Sequence, residues 1–241
     1  MLSYAIISTV IVSIISLVGI LFISMNQKRL NSIIILLIAL AAGTLIGDSF
    51  FHLIPEALEN IESIITFLLV ILGFAVFFFI ENFLFWHHHH DPDCEIHSFS
   101  YLNLIGDGIH NFVDGVLIAL SYLISPIIGF TTTIAVIAHE IPQEIGDYAV
   151  LIHGGFTRSK ALFYNFLSAL TAILGAVLGY FLISESFINY LVPIMAGMFL
   201  YIGATDLVPE LGREKSKFKA YLSFVFFLIG IALMYSLLFL E

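Results

Sequence analysis

Two short stretches of this chain concentrate side chains able to do chemistry. The first carries Asp107, His110, Asn111 and Asp114, and the second His139, Glu140, Gln143, Glu144 and Asp147. At about 100° per residue, the first set falls within an arc of roughly 100° on a helix and the second within about 140°. Each stretch therefore presents one polar face. Imidazoles mixed with carboxylates and amide oxygens form a borderline ligand set, suited to Zn2+ and accepting Fe2+, Mn2+, Co2+ or Cd2+. Calcium or magnesium would take oxygen alone. One zinc ion uses about four ligands, and the two faces offer more. Two adjacent metal positions, or two ligand sets used in turn, fit that surplus, with Asp114 and Glu144 as candidates to bridge. His139-Glu140 also matches the opening of H-E-x-x-H, in which the Glu activates a zinc-bound water. Position 143 is Gln, however, and Pro142 breaks the helical pairing that motif needs.

The elements holding these faces follow from composition. The chain has 241 residues, 60% hydrophobic and only 11% charged. A soluble domain carries about a quarter charged residues to face water, so a soluble enzyme is excluded. With 24 Phe and 10 Tyr, disorder is excluded too. The net charge of −10 argues against nucleic acid as a partner. Cys94 is the single cysteine, so no internal disulfide forms. About 20 apolar residues span a bilayer, and the sequence supplies eight such segments, near 4–24, 33–57, 62–86, 100–124, 126–151, 160–183, 187–211 and 218–240. Short turns join them, marked by Asn26, Asn60, Pro126, Gly154-Gly155 and Gly212. The expectation is an all-α polytopic membrane protein of one transmembrane transport domain, 1–241. Its first segment lacks a basic leader and a cleavage site and reads as a retained span.

All eight bases (Lys28, Arg29, Arg158, Lys160, Arg213, Lys215, Lys217 and Lys219) fall in loops on one side of these spans. The positive-inside rule makes that side cytoplasmic and sends both termini outward. The same parity makes the loop 87–99 cytoplasmic. Its His87, His88, His89, His90 and His97 form a histidine-rich run with acids and Cys94, a composition that captures metal.

An ionised group near the bilayer centre costs a few kcal/mol or more. The acids of spans 4 and 5 have no Lys or Arg in those spans to balance them, so the missing positive charge must be a bound cation. Further polar positions line up beside them. Asp48 and His52 lie in span 2, Asn165 in span 6, and Asp206 and Glu210 in span 7. The run from Gly43 through His52 and Pro55-Glu56 repeats from Gly197 through Asp206 and Pro209-Glu210 at a constant offset of 154 (Gly43 to Gly197). Spans 2 and 7 cross in opposite directions, so this is an inverted repeat, with helices broken by Pro55, Pro142 and Pro209 as in transporters. With the orientation above, His52 and Glu56 lie toward the outer mouth and Asp206 and Glu210 toward the cytoplasm.

At these residues the chain resembles the ZIP (Zrt-, Irt-like protein) zinc transporters, and within them the LIV-1-type branch. The resemblance rests on Gly-Thr-Leu-Ile-Gly-Asp-Ser-Phe-Phe-His-Leu-Ile-Pro-Glu in span 2, His-Asn-Phe-Val-Asp-Gly in span 4 and His-Glu-Ile-Pro-Gln-Glu-Ile-Gly-Asp in span 5. It implies eight spans arranged 3+2+3, outward termini, a histidine-rich loop after span 3, and metal flux into the cytoplasm. It also implies a binuclear site carried by His110, Asn111, Asp114, His139, Glu140 and Gln143. Gln143 stands where the LIV-1-type pattern has a second His, and a neutral amide is a weaker ligand than imidazole. Against that branch the chain is expected to be the transport core without the large extracellular domain of many animal members.

The expected function is zinc or other divalent-metal uptake into the cytoplasm, not enzymatic catalysis. The expected partners are membrane lipid, the metal ions and a second copy in a homodimer, in the plasma or cytoplasmic membrane. A membrane-embedded zinc hydrolase and a metal exporter are the alternatives, since polarity of flux is set by energetics rather than by ligands.

Overall fold

The structure is a computed structural model that describes residues 1–23, 25–88, 98–182 and 185–239. These residues are helical almost throughout, with no strand among them. Among the described residues, eight helices are long enough to cross a bilayer. They are α1 (Leu2–Phe22), α2 (27–60), α3 (Ser63–His88), α4 (Ser98–Ile124), α5 (Pro126–His153), α6 (Arg158–Phe181), α7 (185–212) and α8 (Lys217–Leu237). Seven are also apolar enough to span by composition alone. The exception is α5, whose His139, Glu140, Gln143, Glu144 and Asp147 lower its hydropathy. His89, His90 and His97 of the histidine-rich stretch lie outside the described residues, as do the side chains of His87 and His88.

Local chemistry sets the ends of these helices. Ser125 caps α5, its Oγ accepting the Ile128 N–H at 3.1 Å, with Pro126 following where a missing N–H costs nothing. Thr157 and Ser216 cap α6 and α8 in the same way. Between α5 and α6 the chain turns through Gly155 at φ 101°, a conformation that a side chain would strain.

The bundle is layered by polarity. In α3 and α8 only 17% of the spanning window is buried, against 61% in α2 and α7, so the first pair faces lipid and the second the interior. The outer pair packs on the inner pair, α3 on α7 and α8 on α2, and α4 packs along both α5 and α6. Bare backbone makes these contacts close. A Cβ on Gly43 of α2 would stand 2.1 Å from the Phe227 carbonyl oxygen of α8. A Cβ on Gly197 of α7 would stand 1.9 Å from the Val70 carbonyl oxygen of α3. Small-residue packing of this kind is what holds helices together where lipid removes the hydrophobic drive.

The prolines act differently from simple breaks. α5 continues as an α-helix through Pro142. In α2 and α7 a π-helical turn precedes the proline, over Ser49–Leu53 and Ile202–Leu207, and the helix resumes with Pro55 and Pro209 in its first turn. Each proline withholds the N–H that would bond the carbonyl four residues back, and the widened turn absorbs that loss. His52 lies in the first π turn and Asp206 in the second.

Candidate metal centre

His110 lies at the middle of the 27-residue α4, and His139 at the middle of the 28-residue α5. Both therefore sit near mid-height of helices that pack together. Their side chains converge with Asp114 and Glu140 into one cluster, whose four ligand atoms all lie within 4.8 Å of one another. His139 Nε2 donates to Asp114 Oδ2 at 3.1 Å. His110 Nε2 lies 3.6 Å from Asp114 Oδ2 and 3.4 Å from Glu140 Oε1, and His139 Nε2 lies 4.0 Å from Glu140 Oε1. Ligands about 2.0–2.1 Å from a tetrahedral zinc stand about 3.3 Å apart, so these separations bracket what one ion requires. Asp114, Glu140 and His110 are buried and His139 nearly so.

Hydrogen bonding within the protein does not satisfy this cluster. Both nitrogens of His110 and both carboxylate oxygens of Glu140 are buried without a hydrogen-bond partner. Such groups cost free energy when left unpaired, and a cation is the partner that suits imidazole lone pairs and carboxylates together. The ring of Phe199 on α7 packs on His110 at 5.0 Å and closes one side.

The remaining residues singled out by sequence divide into two groups. Asp48 and His52 line a cavity of about 500 Å³ that also reaches His110, Asp114 and His139, with Glu56, Glu59, Thr131 and Thr132 also in its wall. Asp48 is buried with Oδ2 unpartnered, and His52 Nε2 donates to the Met234 carbonyl at 2.9 Å. The second group lies beyond the cluster. Asn111 Nδ2 donates to Asp107 Oδ1 at 2.8 Å, and its own Oδ1 has no partner. Glu144 accepts from Asn165 Nδ2 on α6, leaving its Oε1 unpartnered, rather than joining the four-residue cluster with Asp114. Gln143 faces a separate small cavity with Asp107 and Asp147. Asp206 is half-buried and Glu210 pairs with His153 at 3.2 Å and with Arg213, and neither belongs to the four-residue cluster.

Three residues here were not singled out from the sequence. Asn103 donates to Asp147 Oδ1 at 2.9 Å, Ser168 donates to Asp107, and His153 holds Glu210. Asn103 was findable, since about 100° per residue places it within the same arc as Asp107 and His110. Ser168 and His153 carried no such signal, because neither falls on the polar arc of α4 or α5.

Comparison with known proteins adds an independent line. The ZIP zinc transporter family matches residues 1–100 and 87–238. The zinc transporter ZIP13 of Pongo abelii is 31% identical over 219 residues, covering 82% of this chain and 65% of that protein. The metal cation symporter ZIP14 of Xenopus tropicalis is 27% identical over 289 residues, covering 89% and 62%. The zinc transporter zipt-7.2 of Caenorhabditis elegans is 37% identical over 142 residues, covering 56% and 31%. The chain thus spans between about a third and two thirds of the length of these three relatives.

Proposed function

The chain belongs to the ZIP zinc transporter family, and from that premise we propose that it carries Zn2+ across a membrane into the cytoplasm through a binuclear site between α4 and α5. The observation that carries this reading is the set of buried, unpartnered imidazole and carboxylate atoms converging at mid-height of two packed helices. His110, Asp114, His139 and Glu140 take the first metal. The second position draws on the unpartnered oxygens beside it, those of Asn111 and Glu144 and the far oxygen of Glu140, with Gln143 adjoining. Fe2+, Mn2+, Co2+ and Cd2+ suit the same donors, and a relative named as a metal cation symporter supports a cargo range beyond zinc.

The path follows from the cavities. If the end of the bundle bearing the eight bases faces the cytoplasm, both termini face outward in a plasma or cytoplasmic membrane, and the 500 Å³ cavity opens outward. Metal enters past Glu59, Glu56, His52 and Asp48, and leaves past Asp206 and Glu210 once the bundle switches access. Paired features support an inverted repeat behind that switch. The two π turns correspond, and Gly43 packs on α8 as Gly197 packs on α3. In this scheme the inner end is narrow, walled by Leu45, Phe199 and Ile202, so the conformation is the outward-facing one.

A zinc-sensitive dye trapped in oriented proteoliposomes tests the direction. Zinc added on the terminus side should brighten the dye in protein-containing vesicles only. Brightening that requires zinc on the opposite side would make the protein an exporter, and no flux in either orientation would end the transport reading. A second expectation concerns the vestibule. Glu56→Gln should raise KM for zinc several-fold with kcat unchanged, because Glu56 attracts incoming cation without holding it at the cluster. Initial-rate measurements over a zinc series check this, and a fall in kcat instead would place Glu56 in the rate-limiting step.

A further inference from the structure

Behind the histidine cluster, on the side away from the vestibule, lies a narrow cavity of about 10 Å³. That is about the room taken by one water or one bare metal ion. Its polar lining is Asn103 and Asp107 from α4 and Gln143 and Asp147 from α5, closed over by Leu45 and Phe199. All four polar residues are buried, with Gln143 only 4% exposed. The Gln143 amide nitrogen has no hydrogen-bond partner. The two carboxylates are already oriented, Asp147 by Asn103 and Asp107 by Asn111 and Ser168.

Charge makes this cavity more than a packing fault. No Lys or Arg occurs in α4 or α5, and neither Asp107 nor Asp147 belongs to the cluster of His110, Asp114, His139 and Glu140. One water would offer two protons to two carboxylates and leave their charge in place, which a low-dielectric interior penalises. A half-turn of the Gln143 amide, which exchanges its oxygen and nitrogen, would add a third oxygen donor.

The geometry points to a further cation position, distinct from the histidine cluster, in which Asp107, Asp147 and Gln143 hold one divalent ion through oxygen alone and Asn103 orients Asp147. An all-oxygen set favours hard ions, so this position takes Mn2+ in preference to the softer Cd2+. It deepens the transport reading by adding a holding place inward of the binuclear site. Binding is measured without flux, so the two readings fail separately.

The test uses the full chain in detergent, dialysed against Cd2+ and Mn2+ together, with bound metal counted per chain. Asp147→Asn and Asp107→Asn should each hold one equivalent less than wild type, the missing equivalent being Mn2+, with cadmium unchanged. Pulsed electron paramagnetic resonance of the wild type should find one bound Mn2+ free of imidazole nitrogen coupling. Equal equivalents in all three proteins would overturn the proposal and leave the carboxylates held by protons and water. Imidazole coupling on every bound Mn2+ would overturn it as well, and this wild-type measurement stands even if a variant loses its fold and its cadmium.

Discussion

In proteoliposomes, His139→Ala and His110→Ala should each abolish zinc uptake, leaving less than about one-tenth of the wild-type rate. Removing a residue that merely orients a zinc ligand already costs about 10- to 100-fold in affinity or activity, and these two are proposed as the ligands themselves. His139 Nε2 donates to Asp114 at 3.1 Å, and His110 Nε2 lies between Asp114 and Glu140 at 3.6 and 3.4 Å. Without either imidazole, the remaining donors are mainly carboxylates, which would bind a harder ion and bind zinc less well. The helices should survive the change. α4 and α5 pack along their length, and alanine is the best helix former. The measurement is uptake of radioactive zinc, beside thermal unfolding of the same protein in detergent. Wild-type uptake in both variants would remove the cluster from the transport path.

Gly197→Leu should be among the most damaging single changes away from the metal. Even a methyl group at this position would stand 1.9 Å from the Val70 carbonyl oxygen of α3, and 2.8 Å from the Phe74 nitrogen. Backbone atoms cannot rotate aside as a side chain can, so α3 and α7 must part. Overpacking of this kind costs about 1–3 kcal/mol or more, and in a chain of this size each kcal/mol lowers the unfolding midpoint by roughly 2–4 °C. Transport should fall as well, because α7 also carries Phe199, which packs on His110. Gly212→Ala is the control, with nothing within 4 Å of the added carbon. Thermal unfolding of the two variants decides it. Equal midpoints would mean that the α3–α7 contact adds nothing to stability.

Much of this protein could be read along the chain, because its information is periodic. Runs of about 20 apolar residues imply bilayer-spanning helices whatever surrounds them. The eight segments expected from sequence correspond to the eight long helices, with ends shifted by a few residues, as where the Thr157 cap starts α6 at Arg158 instead of near 160. Two polar arcs on adjacent helices were likewise legible, since angular spacing along one helix fixes which side chains share a face. The proline positions were legible but their effect was not. Pro142 leaves α5 continuous, while Pro55 and Pro209 follow π turns. Whether a missing N–H bends or widens a helix depends on what the neighbouring helices allow.

What the sequence by itself determined is the helical membrane class, the two polar faces and the borderline ligand chemistry, since each depends on residue type and angular spacing along one helix. Only the tertiary structure decided which donors meet. His110, Asp114, His139 and Glu140 come within 4.8 Å, whereas Glu144 turns to Asn165 and Gln143 to Asp107 and Asp147. Helical periodicity places a side chain on a face but says nothing of the rotation and height of the helix opposite. Those are set by packing, here by glycines such as Gly43 and Gly197 that let backbone reach backbone, and they select one ligand set from the several that the two faces permit.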